Sequence, residues 1–404
     1  MKYIVMLGDG MADHPVASID NKTPLMAANK PNMDKIASKG ICGLINTVPE
    51  GMVPESDTAN LAVMGYDPRV YSKGRSPLEA ASMGIKMADD ETAVRANIVT
   101  LGGEGNYEDL VMVDHSAGEI STSEAREIIE SVQARFGDGS RRFYTGVSYR
   151  HCLIWKDYPG FNDYSRPHDI IGRRIGDHLP YGESGKPMRE LMLESYYFLK
   201  EHPVNKKRIA LGKNPANSLW LWSPGKKPSI PSFYERTGLK ASVVCAVDLI
   251  KGIGVCAGMN VPEVPGATGA LDTDYRAKRD CALRELENGA DLVYIHVEAP
   301  DECGHQGSVR DKISSIEYID KYILEGLMSS LDARSERYRI LLMPDHPTPV
   351  EVRTHTREPV PFAIYDSGDE KSGCVTRYDE ESVKASGIEL PEGGDAMKIL
   401  LEVR

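Results

Sequence analysis

The chain has 404 residues, more than one ordinary core organises, so two domains are the first expectation. It is 41% hydrophobic and 27% charged, a globular composition, and its net charge of −12 argues against general nucleic-acid or membrane-surface binding. A small anionic substrate stays open, provided positive charge is gathered locally. The seven cysteines, at 42, 152, 245, 256, 281, 303 and 374, are scattered and form no Cys-x-x-Cys, which points to a reduced, cytoplasmic protein.

In chain order, "YIVML" (3–7) is a short apolar run bounded by glycine and reads as a buried strand. Gly8-Asp9-Gly10 breaks that run too early for a signal peptide, and no later apolar stretch is long enough to span a bilayer. "PNMDKIASKG" (31–40), with proline at its start and glycine at its end, predicts a helix, and "CGLINTV" (42–48) a second strand. "PESDTANLAVMGYDP" (54–68) predicts a helix with Ser56 or Asp57 as N-cap and Gly65 as its stop. The same stretch has a second reading, in which Ser56 is a nucleophile held where free N–H groups and the helix dipole favour an anion.

The middle differs. "STSEAREIIESVQARFG" (121–137) opens with a capping box, Ser121 to Glu124, and is flanked by strand-like "AVRANIVTL" and "RFYTGVSYRHCLIW". Further on, "DLVYIHV" (291–297) and "YRILLMP" (338–344) are buried strands on either side of one long amphipathic helix at 310–332. Apolar runs alternating with helices predict a doubly wound, mostly parallel α/β sheet, and the middle predicts an inserted α+β domain. Proline and glycine cluster at 65–77 and 222–238, which read as linkers. The expected division is a discontinuous core, 1–66 and 235–404, with 70–232 inserted.

Three apolar strands end in Asp-containing turns: "LGDG" with Asp9, "EAPDECGH" with Asp301 and His305, and "PDHPTP" with Asp345 and His346, followed by His355 in "RTHT". Ligands of open α/β sheets gather at the carboxyl ends of strands. One Asp there is an ordinary turn residue, but three Asp and three His at one edge would be costly without a counterion. Carboxylate plus imidazole suits a divalent first-row metal such as Mn or Zn. Asp9, Asp301, Asp345 and a deprotonated Ser56 would carry four negative charges, which two divalent cations neutralise. That predicts a two-metal site with a serine nucleophile for displacement at phosphorus.

These residues, with "TPLMAANKPNMDKIASKG", "SDTANLAVMGYDP", "RSPLEAASMG", "YRHCLIW", "VDLIKGIG", "HVEAPDECGH", "DHPTP" and "HTREPVPF", give a chain that resembles the archaeal-type cofactor-independent phosphoglycerate mutases of the alkaline phosphatase superfamily, nearly end to end. The resemblance implies one metal on Asp301, His305 and His355, and a second on Asp9, Ser56, Asp345 and His346. It implies two divalent ions, Mn2+ first and Zn2+, Co2+ or Mg2+ as alternatives, with no need for 2,3-bisphosphoglycerate. The implied reaction interconverts 3- and 2-phosphoglycerate through a phosphoserine on Ser56, and the inserted domain would be a substrate cap that closes on the core. Arg95, Asn97, Arg150, His151, His168 and Lys251 lie in family-like segments and are the candidate substrate contacts. The chain departs from the family at Glu55, where glycine is usual, and at Trp220 and Trp222, where an Arg-Gly segment is expected. "DHPTP" and "RTHT" are also similar to a branch proposed to act as homoserine kinases. A homoserine kinase-like phosphotransferase and a phosphomonoesterase are therefore the alternative activities.

Overall fold

Runs of Val, Ile and Leu with no polar alternation cannot leave one face to water, so they end up in strands covered on both sides. The computed structural model describes residues 1–370, 373 and 375–402, so Cys374 and residues 403–404 fall outside it. It contains twelve strands among these residues. β1 (Lys2–Gly8) and β2 (Ile41–Ile45) come first, then β3 (Glu91–Gly102), β4 (Val111–Asp114), β5 (Arg141–Tyr144), β6 (Arg150–Lys156) and β7 (Ser218–Lys226). β8 (Ala241–Val244), β9 (Leu292–Val297), β10 (Tyr338–Met343), β11 (Val360–Asp366) and β12 (Glu389–Leu390) follow. The chain divides into two units, Met1–Ser72 with Ser229–Arg404, and Lys73–Pro228.

In the first unit seven strands form one sheet in the order β12-β2-β11-β10-β1-β9-β8. β8, β9, β1 and β10 are mutually parallel, and only β11 runs against its neighbours. Every residue of β9 is buried. The register puts Leu7 opposite both Met343 and His296, so β1, β10 and β9 end at one level. That shared level delivers the turns that follow them to one edge. Ile36, Leu286, Ile316 and Leu327 from the covering helices pack on Ile4, Met6 and Ile295.

The 310–332 helix is observed as Val309–Tyr318 and Glu325–Ala333 joined by a π-helical segment, Ile319–Leu324. Wide turns of this kind admit an extra residue. Buried Asp320 lies in this one and accepts from Met33 N at 2.8 Å and from Asn32 Nδ2 at 2.8 Å. Both Pro/Gly stretches contain a boundary between the units and also carry short elements of secondary structure. The first holds the short helix Pro68–Tyr71, and the second begins inside β7 and ends in the helix Phe233–Thr237.

In the second unit the long strand β3 pairs antiparallel with β4, β6 and β7, and β5 adds to β6. The helix Thr122–Phe136 is capped by Ser121, which accepts from Glu124 N at 3.3 Å. Ile128 from this helix and Leu191 from the helix Gly182–Leu199 pack with Ile98 and Trp220 of the sheet. No helix among the described residues is long and apolar enough to cross a membrane.

Candidate active site

The loop after β1 needs glycine. Gly10 has φ +59°, and a Cβ there would lie 2.5 Å from Thr348 Oγ1 and 2.7 Å from Asp301 Oδ1. This close approach lets Gly10 N donate to Asp345 Oδ1 at 3.1 Å. Asp345 is tied further by its neighbour's amide, His346 N, at 2.9 Å and by Asn60 Nδ2 at 2.8 Å, and Tyr294 holds Asn60 in turn at 2.6 Å. Thr348 Oγ1 donates to Asp301 Oδ1. Lys312, buried, donates to Ala12 O, Asp13 Oδ2 and Thr348 O, and so fastens the loops after β1 and β10 to each other.

The seven predicted donors converge. His305 Nε2 lies 3.2 Å from Asp301 Oδ2, His355 Nε2 lies 3.4 Å from Asp301 Oδ1, and the two Nε2 atoms are 3.0 Å apart. Each of these imidazoles faces a backbone carbonyl through Nδ1, Arg353 O at 3.0 Å and Pro54 O at 2.8 Å. Donation there leaves each Nε2 lone pair for a cation. Beside them, His346 Nε2 lies 3.6 Å from Asp9 Oδ1, 3.5 Å from Asp345 Oδ2 and 3.2 Å from Ser56 Oγ. The Asp9–Asp345–His346 and Asp301–His346–His355 donor atoms each fall within 4.8 Å of one another.

Ser56 is not the cap of its helix. The helix runs Ser56–Val63 with Glu55 as N-cap and no side-chain capping bond, so Ser56 is the first helical residue. Its hydroxyl turns to His346 instead of to an amide. At the other end Gly65, at φ +82°, terminates the helix.

The charges do not balance internally. Burial, then the charges of Asp345 and Asp301, push the Asp9 carboxyl well above its usual range. Burial would raise Asp301 too, but its contacts with His305 and His355 hold it well below that range. Asp301 in turn lifts His305 to about 9. Burial alone would lower His355, and Asp301 outweighs it and raises the group. Asp9 Oδ1 is buried with no hydrogen-bond partner. An orphaned carboxylate oxygen amid carboxylates and imidazoles is the donor set that divalent cations satisfy, so the residues fit the two ions. Sequence reasoning missed the groups that hold the donors (Asn60, Tyr294, Thr348 and Lys312), and it missed His296 on β9. A histidine inside an otherwise apolar strand was the available signal for His296.

The second unit collects positive charge. Arg95 lies on β3, its Nε 3.0 Å from Glu79 Oε2 and its guanidinium 4.5 Å above the Trp222 ring. Burial, and then nearby Arg75 and Arg150, lower its pKa against the pull of Glu79. Arg75 Nε is buried without a partner. Arg150 is exposed beside the Tyr149 ring, and His168 is exposed beside the rings of His115 and Trp222. Trp222 therefore stands as a platform under Arg95, and its Nε1 donates to Asn97 Oδ1 at 3.1 Å. His151 is buried, accepts from Gly146 N at Nδ1 and keeps Nε2 unpartnered. Lys251 belongs to the first unit, 3.9 Å from Asp248 and 4.0 Å from Glu263. Arg75 and His115 were not singled out in the sequence.

A profile of the family described as 2,3-bisphosphoglycerate-independent phosphoglycerate mutase matches residues 37–205. A protein of Geobacter sulfurreducens named as a probable mutase of this kind is 47% identical over 402 residues, covering 100% of both chains. A Methanothrix thermoacetophila protein named as such a mutase is 48% identical over 401 residues, covering 99% of this chain and 100% of its own. The solved cofactor-independent phosphoglycerate mutase of Thermoplasma acidophilum superposes with a TM-score of 0.67 at 29% identity, covering 100% of both chains.

Proposed function

The chain belongs to the family of 2,3-bisphosphoglycerate-independent phosphoglycerate mutases, and we propose that it interconverts 3- and 2-phosphoglycerate through a phosphoryl group carried on Ser56. The observation that supports this reading is the half-buried Ser56 hydroxyl, 3.2 Å from His346, amid carboxylates and imidazoles whose charges are unbalanced. Asp301, His305 and His355 would hold one divalent ion, and Asp9, Ser56, Asp345 and His346 the other, with Mn2+ the first candidate. When bound, such ions lower the pKa of the serine hydroxyl and neutralise charge that builds on the phosphoryl oxygens.

Ser56 Oγ forms the new bond to phosphorus and the bond to O3 of the glycerate breaks. The serine proton leaves, and the departing O3 takes one. The glycerate turns, its O2 attacks the phosphoserine, and the Oγ–P bond breaks with the opposite proton exchange. No phosphoryl group is gained or lost. Arg95 and Arg150, joined by Arg75, are the proposed cationic partners of the phosphate and carboxylate, with His168, whose pKa burial lowers, and His115 proposed as hydrogen-bonding partners beside them. Lys251 is kept as a candidate contact. Asn97 and His151 are proposed to support this cluster from within the sheet.

The test is a substrate panel with Mn2+-loaded protein, free of 2,3-bisphosphoglycerate, followed by phosphorus NMR. The proposal expects 2-phosphoglycerate from 3-phosphoglycerate alone. O-phosphohomoserine formed only from ATP and homoserine, or inorganic phosphate as the sole product, would replace it with the kinase or the phosphomonoesterase.

A further inference from the structure

The donor carboxylates are held unequally. Asp345 accepts from two backbone amides and from Asn60, and Asp301 accepts from Thr348. Asp9 has no amide or hydroxyl of this kind among the described residues. Against its Oδ2 stands His296 Nε2 at 3.0 Å, while Oδ1 is buried and unpartnered. A carboxylate held at neither oxygen rotates about its last bond and cannot present one oxygen to a cation.

His296 is built to stay in place. It lies on β9 with 0% of its surface exposed, opposite Leu7 in the register. Its carbonyl accepts from Lys278 Nζ at 2.9 Å, and Lys278 is itself fully buried. One residue further on, Val297 O accepts from Asp9 N at 2.9 Å, so the two side chains leave adjacent, hydrogen-bonded backbones. Neither ring nitrogen of His296 makes an aligned hydrogen bond, Asp9 Oδ2 at 3.0 Å included, so the ring meets Asp9 as a close contact and is committed to no other partner among the described residues.

We propose that His296 is a positioning residue for Asp9: its Nε2–H stands 3.0 Å from Oδ2, where a small turn of the carboxylate would align the two and keep Oδ1 turned toward the cation shared with Asp345 and His346. This inference rests on the two-cation reading above. It makes His296 the counterpart, for Asp9, of what Asn60 is for Asp345. Partners of metal ligands typically change metal affinity 10–100-fold when removed.

The test titrates chelator-stripped protein with Mn2+ by calorimetry, comparing wild type, His296→Met, which keeps volume and loses the donor, and His296→Gln, whose Nε2 restores a donor. Wild type is expected to take up two ions. His296→Met should bind one of them about 10–100-fold more weakly and leave the other within about threefold, and His296→Gln should recover most of the loss. Both ions bound normally by His296→Met, or His296→Gln as poor as His296→Met, would overturn the role of His296 while leaving the two-cation reading standing. A wild type that takes up no ion would overturn both. Nitrogen-15 NMR of the wild-type, Mg2+-loaded protein decides the matter without a variant that must fold. The Nε2–H tautomer of His296 is expected, and the Nδ1–H tautomer or a cation-bound Nε2 would contradict the proposal.

Discussion

The two units solve opposite electrostatic problems. At the strand ends of the first, Asp9, Asp301 and Asp345 are buried together, and burial and mutual repulsion push Asp9 up. Around Arg95 in the second, guanidinium and imidazole groups gather on Trp222, and burial with neighbouring Arg75 and Arg150 pulls Arg95 down. The first cluster is locked by buried bonds from Asn60, Thr348 and Lys312. The second leaves Arg150 and His168 exposed. A rigid, buried, acidic cluster suits small hard ions of fixed geometry, whereas a half-open cationic one suits an anion that must enter, turn and leave. Substitutions in the first should therefore damage chemistry and metal binding, and those in the second substrate affinity.

The largest expected effect is at Ser56. Ser56→Ala should abolish mutase turnover, and thermal unfolding should shift by less than about 0.5 kcal/mol, because this hydroxyl makes no capping bond. A stability loss of about 1–2 kcal/mol with turnover intact would restore the capping role read from the sequence. Next comes Asn60→Ala. It should weaken Mn2+ binding about 10–100-fold and cost about 1–3 kcal/mol, since Asp345 Oδ2 and the Tyr294 hydroxyl both lose their partner. Unchanged calorimetric affinity would show that Asp345 needs no such support.

A smaller effect is set by pH. In metal-free protein His305, lifted to about 9 by Asp301, carries a proton below that pH, and a cation needs the neutral ring. Affinity should therefore rise with pH, up to about tenfold per unit, and level off near 9. Proton release measured in buffers of different ionisation enthalpy checks the sign, and uptake of protons on binding would be inconsistent with it. The smallest expected effect is Arg150→Ala. Loss of one charge-assisted contact should raise KM about tenfold or less with Mn2+ affinity and melting temperature unchanged. A metal-binding defect in that variant would blur the division between the two regions.

Much of this comparison was legible in the sequence, for a physical reason. Apolar runs such as 3–7 and 338–344 have to be buried, and a polar turn has to follow them, so Asp9 and Asp345 could be placed at strand ends before their contacts were known. What holds these donors was not legible. Asn60 meets Asp345 across 285 residues, and Thr348 meets Asp301 across 47. Asn60 reads as an ordinary helical position and Thr348 as a turn residue. Ser56 was misplaced by one residue, because a Ser before an apolar run has the same signature as cap or as first helical residue. The wide turn at Ile319–Leu324 left no mark in the apolar periodicity of 310–332. The Trp222 platform was visible only as a missing Arg, since stacking under Arg95 depends on the pairing of β3 with β7.

The proposed reaction depends on phosphate passing through Ser56. The most direct measurement is rapid acid quench of Mn2+-loaded protein turning over phosphorus-32-labelled 3-phosphoglycerate, with the labelled peptide mapped by mass spectrometry. Label is expected on Ser56, formed and lost at rates no slower than turnover and absent from Ser56→Ala. Full turnover with no label on Ser56, or label confined to another residue, would contradict it.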